Sequence, residues 1–275
     1  MRRRYSLQLL LLILPLSGFA EAPKIIFEAN KNQWPEQVKF KADIPGGKLF
    51  LEQNTFTYLY VENIDWHGTY RNESAGPVTV KHHAFKVSFE NSNTEAQVSG
   101  NNCYSWHRNY YLGNDQSKWA DNVPVYNQVY YKDLYQKIDM QVYNEETNLK
   151  YDLIVHPGGN PDNISLKYNG TDGMRLENGH LFIKTSVYDL IEQKPFAYQI
   201  INGAKKEIAC SYSLNDTLLS FVLGNYDHSL PLVIDPTLIA STYSGSTADN
   251  WGFTSTYDNA GNIYMGGIAA SAGYP

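Results

Sequence analysis

From Lys24 onward the apolar and polar residues of this chain alternate with a period of two rather than 3.6. In "NLKYDLIVH", Leu149, Tyr151, Leu153 and Val155 fall on one face and Lys150, Asp152 and His156 on the other, which predicts a half-buried strand. "KLFLEQNTFTYLYV" predicts two strands turning at Gln53 and Asn54. "MRLENGHLFIKT" predicts two more around Asn178-Gly179, where both turn positions favour positive φ. "IPGGKL" is a turn before a strand. "NISLKY", "AYQII", "EIACSYSL" and "TLLSFVLG" continue the spacing, each bounded by Gly, Asn, Asp or Pro. Short strands at such intervals indicate a sandwich or barrel rather than βαβ units, and the expected fold is all-β, an antiparallel β-sandwich-type domain. Only "SKWADN" and "YKDLYQKI" have a helical look.

The N-terminus changes where this domain is expected to work. "MRRRYSLQLLLLILPLSGFAEA" has three arginines, an apolar run from Leu7 to Leu16, and small residues at Gly18 and Ala20. That is the three-part pattern of a secretory signal peptide cleaved after Ala20. Its apolar run is shorter than the roughly 20 residues a permanent span needs, and no later segment is a transmembrane candidate. The expectation is a secreted or cell-surface-associated protein. Cleavage leaves 19 basic against 28 acidic residues, a formal charge of −9, opposite to what a nucleic-acid partner favours. The 22 tyrosines suit half-exposed strand faces with the ring buried and the hydroxyl in water. In an oxidising compartment Cys103 and Cys210 are either one disulfide or two separate buried thiols.

A composition seam falls at "SLPLVIDPTLIASTYSGSTADNW": the chain is rich in charges up to Ile234 and carries no Lys or Arg after Pro236. The expected division is a signal peptide at 1–20, a β-domain at 21–236 with a weaker lobe seam near 115–122, and a distinct tail at 237–275.

The tail, "STYSGSTADNWGFTSTYDNAGNIYMGGIAASAGYP", resembles the SBBP repeat, a β-propeller blade motif with the core Asp258, Gly261, Asn262, Tyr264 and Gly267. "NKNQWPEQVKFKADIPGG", "NYYLGNDQSKWADNV", "LKYDLIVHPGGNP", "ENGHLFIKTSV", "IEQKPFAYQI" and "PLVIDPTL" are similar, in that order, to the N-terminal domain that precedes such repeats. The resemblance implies a large secreted surface protein of gliding bacteria, in which further blades, PKD-like modules and a gliding-motility-associated C-terminal sorting domain follow. It supplies no catalytic residue. One blade cannot bury its own apolar face, so the tail is expected to be the incomplete first blade of a longer protein, lean on the preceding domain and act with downstream domains of the same chain.

Motifs for chemistry are sparse. His82 and His83 are adjacent and point to opposite faces of a strand, and His67, His107, His156, His180 and His228 lack metal-ligand spacing. There is no G-x-S-x-G elbow, and Gly46-Gly47-Lys48 lacks the rest of a phosphate loop. "TYDNAGNIY" departs from both the sialidase Asp box and the EF-hand pattern. No cofactor is expected beyond a weakly bound Ca²⁺ at "NGTDG" or "GGNPDN". Glu145 with Glu146, or Asp133 with Asp139, are the acid pairs that could be nominated for glycoside hydrolysis, as any chain with 28 acids allows, with turn and surface duty as the plain alternative.

Aromatic side chains are the recognition candidates. Trp34, Trp66, Trp106 and Trp119 stand in or beside loop-like stretches, where a ring either stacks on a sugar or anchors a protein, or plugs the sandwich ends. Trp106, His107, Tyr110, Tyr111 and Trp119 are the densest group, and Trp106, Tyr110, Tyr111 and Trp119 are the binding-site candidates. The reading that follows is a non-enzymatic extracellular module for adhesion, recognition or structural presentation, with a glycan or surface protein as partner. The alternative is an accessory or catalytic part of a polysaccharide-active propeller enzyme.

Overall fold

A computed structural model of the chain describes residues 24–62, 79–145, 148–241, 250–257 and 263–269, with backbone alone from 237 onward. The predicted signal peptide, Trp66, His67, Glu146 and the repeat-core residues Asp258, Gly261 and Asn262 lie outside the described residues.

The first strands in chain order are β1 (Phe27–Ala29), β2 (Phe40–Ile44), β3 (Gly47–Leu51), β4 (Thr55–Val61), β5 (His82–Phe89), β6 (Gln97–Tyr110) and β7 (Ala120–Tyr135). Then come β8 (Ile138–Glu145), β9 (Asn148–Val155), β10 (Ser165–Asn169), β11 (Gly173–Glu177), β12 (His180–Lys184), β13 (Asp189–Glu192) and β14 (Phe196–Ile201). The last are β15 (Ala204–Ile208), β16 (Cys210–Asn215), β17 (Leu218–Leu223), β18 (Leu232–Asp235), β19 (Thr237–Ser241), β20 (Asn250–Tyr257) and β21 (Ile263–Ala269). Two short 3₁₀ turns, Gln116–Lys118 and Pro161–Asn163, complete the inventory among the described residues. The fold is all-β and every strand pair is antiparallel; β1 to β19 join in one sheet that does not close into a barrel, and β20 with β21 make a second.

Two strands fork this sheet. β7 pairs with β6 along most of its length, while β1 meets it at Val125 and Tyr126 and β8 meets it from Gln128 onward. β9 pairs with β8, with β18 over Leu153 to Val155, and with β19 at Leu149 and Lys150. One arm therefore runs β1-β2-β3-β4-β5-β10-β17-β16. The other runs β7-β8-β9 and divides into β18-β14-β15 and β19-β13-β12-β11. Between the arms lies one core, with Phe27, Tyr60, Tyr131, Phe56, Phe85, Met140 and Leu153 almost wholly buried. The expected domain edge near Pro236 falls between β18 and β19, and β19 still belongs to the large sheet.

The hairpins read from the alternation are present. β3 and β4 turn at Gln53 and Asn54, and β11 and β12 turn at Asn178 (φ 52°) and Gly179 (φ 84°), the positive pair that such a two-residue turn demands. Two expectations are corrected. "YKDLYQKI" is the end of β7, a turn, and the start of β8. Asp133 takes φ 52° and inserts a bulge, so Tyr131, Leu134, Tyr135 and Ile138 all reach the core at a spacing that imitates a helix. "SKWADN" holds only a 3₁₀ turn capped by Asp115 before β7 begins. The Cys alternatives resolve toward two free thiols, Cys103 exposed on β6 and Cys210 buried on β16; one side only is buried, and burial lifts the Cys210 thiol to about 11.

The tyrosines overturn the picture of buried rings with wet hydroxyls. Glu192, 2% exposed on β13, accepts hydrogen bonds from Tyr151 (2.7 Å, β9), Tyr212 (2.9 Å, β16) and Tyr168 (3.0 Å, β10). Tyr131 donates to the Glu52 carbonyl, Tyr135 to that of Ser165 and Tyr188 to that of Val61, each crossing between arms. Burial raises the Glu192 carboxyl above its ordinary value while the three hydroxyls oppose the shift.

Replacing Glu192 by Ala strands three buried hydroxyls, each worth roughly 1–3 kcal/mol when left unmet, so Glu192→Ala is expected to destabilise the fold by about 3 kcal/mol or more in denaturant titration. Glu192→Gln keeps an oxygen for Tyr151 and Tyr212 and should cost less than half as much. Equal losses for the two variants would contradict the assignment.

Candidate functional site

All four binding candidates fall on the β6–β7 hairpin, Trp106 and Tyr110 in β6 and Tyr111 and Trp119 in the segment that joins β6 to β7. Trp106 lies inside β6, not in a loop, and stands 44% exposed; Tyr111 (55%) and Trp119 (38%) flank the tip, the region where a lobe seam was expected. Tyr111 and Trp119 pack edge to face with centroids 5.7 Å apart. Tyr111 donates to the Asp121 carboxylate, and the Trp119 indole N–H donates to the Gly113 carbonyl at 3.3 Å. Trp106 instead lies against Tyr104, with centroids 5.5 Å apart. These exposed rings are not plugs of the sandwich ends.

Tyr110 differs. Its ring meets Trp34 edge to face at 5.4 Å and its hydroxyl donates to Glu28. Glu28, wholly buried on β1, also receives Arg108 of β6 at 3.0 Å and Lys41 of β2 at 3.5 Å, and Lys41 sits over the Trp34 ring at 5.7 Å. Burial and Glu28 push the Tyr110 phenol well above its ordinary range. Asp43 extends the cluster to Lys41 and Lys48; burial resists its ionisation, but the two lysines outweigh that and hold its carboxyl below the ordinary value. Tyr110, paired with Ala120 on the last rung of the hairpin, and Trp34 thus fasten it close to its tip and are not a free surface. Gly100 helps: a Cβ there would fall 2.4 Å from the Tyr126 ring, which lies across β6 and packs on Phe40.

Toward the base of the hairpin the outer face of β7, β8 and β9 is polar. Register places Gln128 opposite Tyr143 and Tyr143 opposite Lys150, then Tyr130 opposite Gln141 and Gln141 opposite Asp152. Val129, Val142 and Tyr151 take the core side. β9 was expected to be half-buried, but Lys150 (7%) and Asp152 (4%) are covered as well, because the face is laced by its own side chains. Gln128 donates to Gln141 at 2.6 Å, Gln141 to Asp152 at 2.8 Å, and Tyr143 to Asp152 at 3.2 Å. Lys150 bridges Glu145 at 2.9 Å and Asp235 at 3.0 Å. Burial, helped by the neighbouring Asp235 charge, lifts the Asp152 carboxyl to about 6 against the donors around it.

A groove of about 370 Å³ opens on this face, lined by Lys24, Ile25, Asn102, Tyr104, Asn127, Gln128, Gln141, Tyr143 and Asn144. Tyr104 joins it to Trp106. The sequence reading missed these residues. The β9 alternation already placed Asp152 and Lys150 on one face, but only the β7–β8–β9 register adds Gln128, Gln141 and Tyr143 to it.

The acid pairs have other occupations. Asp139 accepts from the Asp133 backbone N–H at 2.7 Å, from Tyr130 at 2.6 Å and lies 2.6 Å from His156. Burial opposes its ionisation, yet these partners outweigh it and hold the carboxyl low, the reverse of a general acid. Asp139 therefore braces the β7 bulge; Glu145 is paired with Lys150. In the loops named for Ca²⁺, Asn160 caps the Pro161–Asn163 turn and Asp172 faces His83 at 4.0 Å. Among the described residues no group of three or more His, Cys, Asp or Glu side chains is arranged to hold a metal ion.

A family model described as "Domain of unknown function (DUF7948)" matches residues 27–237. No curated protein and no solved structure matches the chain.

Asp152 binds its proton more tightly folded (about 6) than at its ordinary value of 3.8, so its contribution to stability is largest below about pH 4 and is lost as pH rises through 6. NMR titration of its carboxyl carbon should give a midpoint near 6. The stability of the wild-type chain relative to Asp152→Asn should fall over the same window; a midpoint near 4 with no such fall would contradict the burial argument.

Proposed function

The chain belongs to the DUF7948 family, and we propose that it is a non-enzymatic extracellular recognition module, secreted or held at a cell surface, whose binding element is the β6–β7 hairpin. The observation that carries this reading is the pairing of exposed Trp106, Tyr111 and Trp119 with a buried ionic anchor at Glu28. Exposed aromatic rings on a flexible loop lose much of their binding free energy in ordering; on an anchored hairpin that cost is already met during folding. Large, rigid side chains of this kind supply most of the affinity in recognition surfaces.

The same observation weighs against a plain spacer, which has no use for three large exposed rings around one hairpin. The polysaccharide-active alternative needs two carboxyls free to act on a glycosidic bond. Beneath the groove, both oxygens of Asp152 accept from Gln141 and Tyr143 and the group is covered, which favours binding over hydrolysis. From the resemblance of the tail to a propeller blade we further propose that this module stands at the head of a larger surface protein. There β20 and β21 form the antiparallel hairpin that a blade would contain.

On an array of glycans and surface proteins the full chain is expected to bind saturably, and Trp106→Ala or Trp119→Ala should each weaken binding by tenfold or more, as for anchor residues worth about 2 kcal/mol. A folded sample silent across the array, or binding indifferent to both substitutions, would overturn the assignment.

A further inference from the structure

We infer that the groove between β6 and the outer face of β7 and β8 is a subsite for a neutral oligosaccharide, a reading that rests on the recognition role of the hairpin and names its ligand class. Five of the nine lining residues are carboxamides, Asn102, Asn127, Gln128, Gln141 and Asn144, two are tyrosines, and no carboxylate lines it. A carboxamide offers both a donor and an acceptor, the complement of a sugar hydroxyl, which also offers both. An anionic glycan or phosphate would call for arginine forks; the lining has none, and its one lysine, Lys24, already interacts within the chain.

The amides are oriented in advance. Asp152 accepts only, so Gln141 turns its Nε2 toward it and presents Oε1 to Gln128, whose Nε2 donates. Gln128 therefore has its carbonyl oxygen left for a ligand. The Asn144 carbonyl accepts from the Ile25 backbone N–H at 3.3 Å, leaving its Nδ2 to donate. The groove thus holds an acceptor and a donor in set directions; buried Asp152 is the positioning residue behind the Gln128 acceptor, and the Ile25 backbone N–H sets the Asn144 donor. At about 370 Å³ it sits at the small end of the range for ligand pockets, a fit for the end of a short saccharide. Tyr104 and Trp106, in ring contact, extend one wall as an apolar surface for the next sugar face.

Calorimetry of the full chain against neutral gluco-, manno-, galacto- and N-acetylglucosamine oligosaccharides, with oligogalacturonate as the anionic control, tests this. At least one neutral oligosaccharide should bind, with Asn127→Ala and Tyr104→Ala each weakening it roughly fivefold or more, as expected for one lost hydrogen bond or stacking contact. Asn127 is exposed, so its variant leaves the core intact, and circular dichroism checks both folds. Binding of oligogalacturonate alone, no neutral ligand bound, or neutral binding untouched by either substitution overturns the groove. In the last case, loss on Trp119→Ala would leave the hairpin reading standing. Likewise, a protein ligand lost with Trp106→Ala while every neutral sugar is silent would keep that reading and discard this one.

Discussion

Glu192 brings a carboxylate into the middle of the core, where its partners among the described residues are three tyrosyl hydroxyls. Burying such a group is costly unless every lone pair finds a donor. Here the donors come from both arms of the forked sheet: Tyr151 lies on β9 of the arm that carries Glu192, while Tyr168 and Tyr212 reach across from β10 and β16. Apolar packing brings the two faces together without regard to register, since hydrophobic burial has no direction. The carboxylate adds direction, because only one alignment of β13 against β10 and β16 satisfies all three hydroxyls. The carbonyl contacts of Tyr131, Tyr135 and Tyr188 repeat the device along the interface.

The hairpin depends on that platform. With β7 shared between β6, β1 and β8, its inner residues Val123, Val125 and Val129 are buried in the body while β6 lies largely in solvent. A strand so exposed needs a second hold, and Glu28 provides it by collecting Arg108, Tyr110 and Lys41 near the hairpin tip. Two buried carboxylates thus divide the work. Glu192 sets how the arms face each other, and Glu28 sets where the aromatic hairpin stands on them.

Much of the fold was legible because period-two alternation and turn chemistry are local. The β3–β4 and β11–β12 hairpins, the all-β class and the parity of β9 all follow from neighbouring residues. The misreadings have non-local causes. "YKDLYQKI" imitates a helix only because a bulge at Asp133 resets the alternation, and that bulge is held by Asp139, on the next strand. Tyrosine hydroxyls were placed in water because a sequence does not show a carboxylate 20 to 41 residues away waiting to accept them. The aromatic group was visible as a cluster of letters, but the separation of anchoring Tyr110 from exposed Tyr111, one residue on, required the position of Glu28, 82 residues earlier. The groove lay beyond reach for the same reason, since its amides come from β6, β7 and β8 and meet only through register.

The claim that a single carboxylate couples the arms is tested most directly by a double-mutant cycle between Glu192→Ala and Tyr212→Phe, read by equilibrium unfolding. The account predicts non-additivity of about 1 kcal/mol or more, because once Glu192 is gone the Tyr212 hydroxyl has lost its acceptor and its removal no longer costs. Additive losses would mean that Tyr212 and Glu192 stabilise the chain independently, and that packing alone sets the alignment of the two arms.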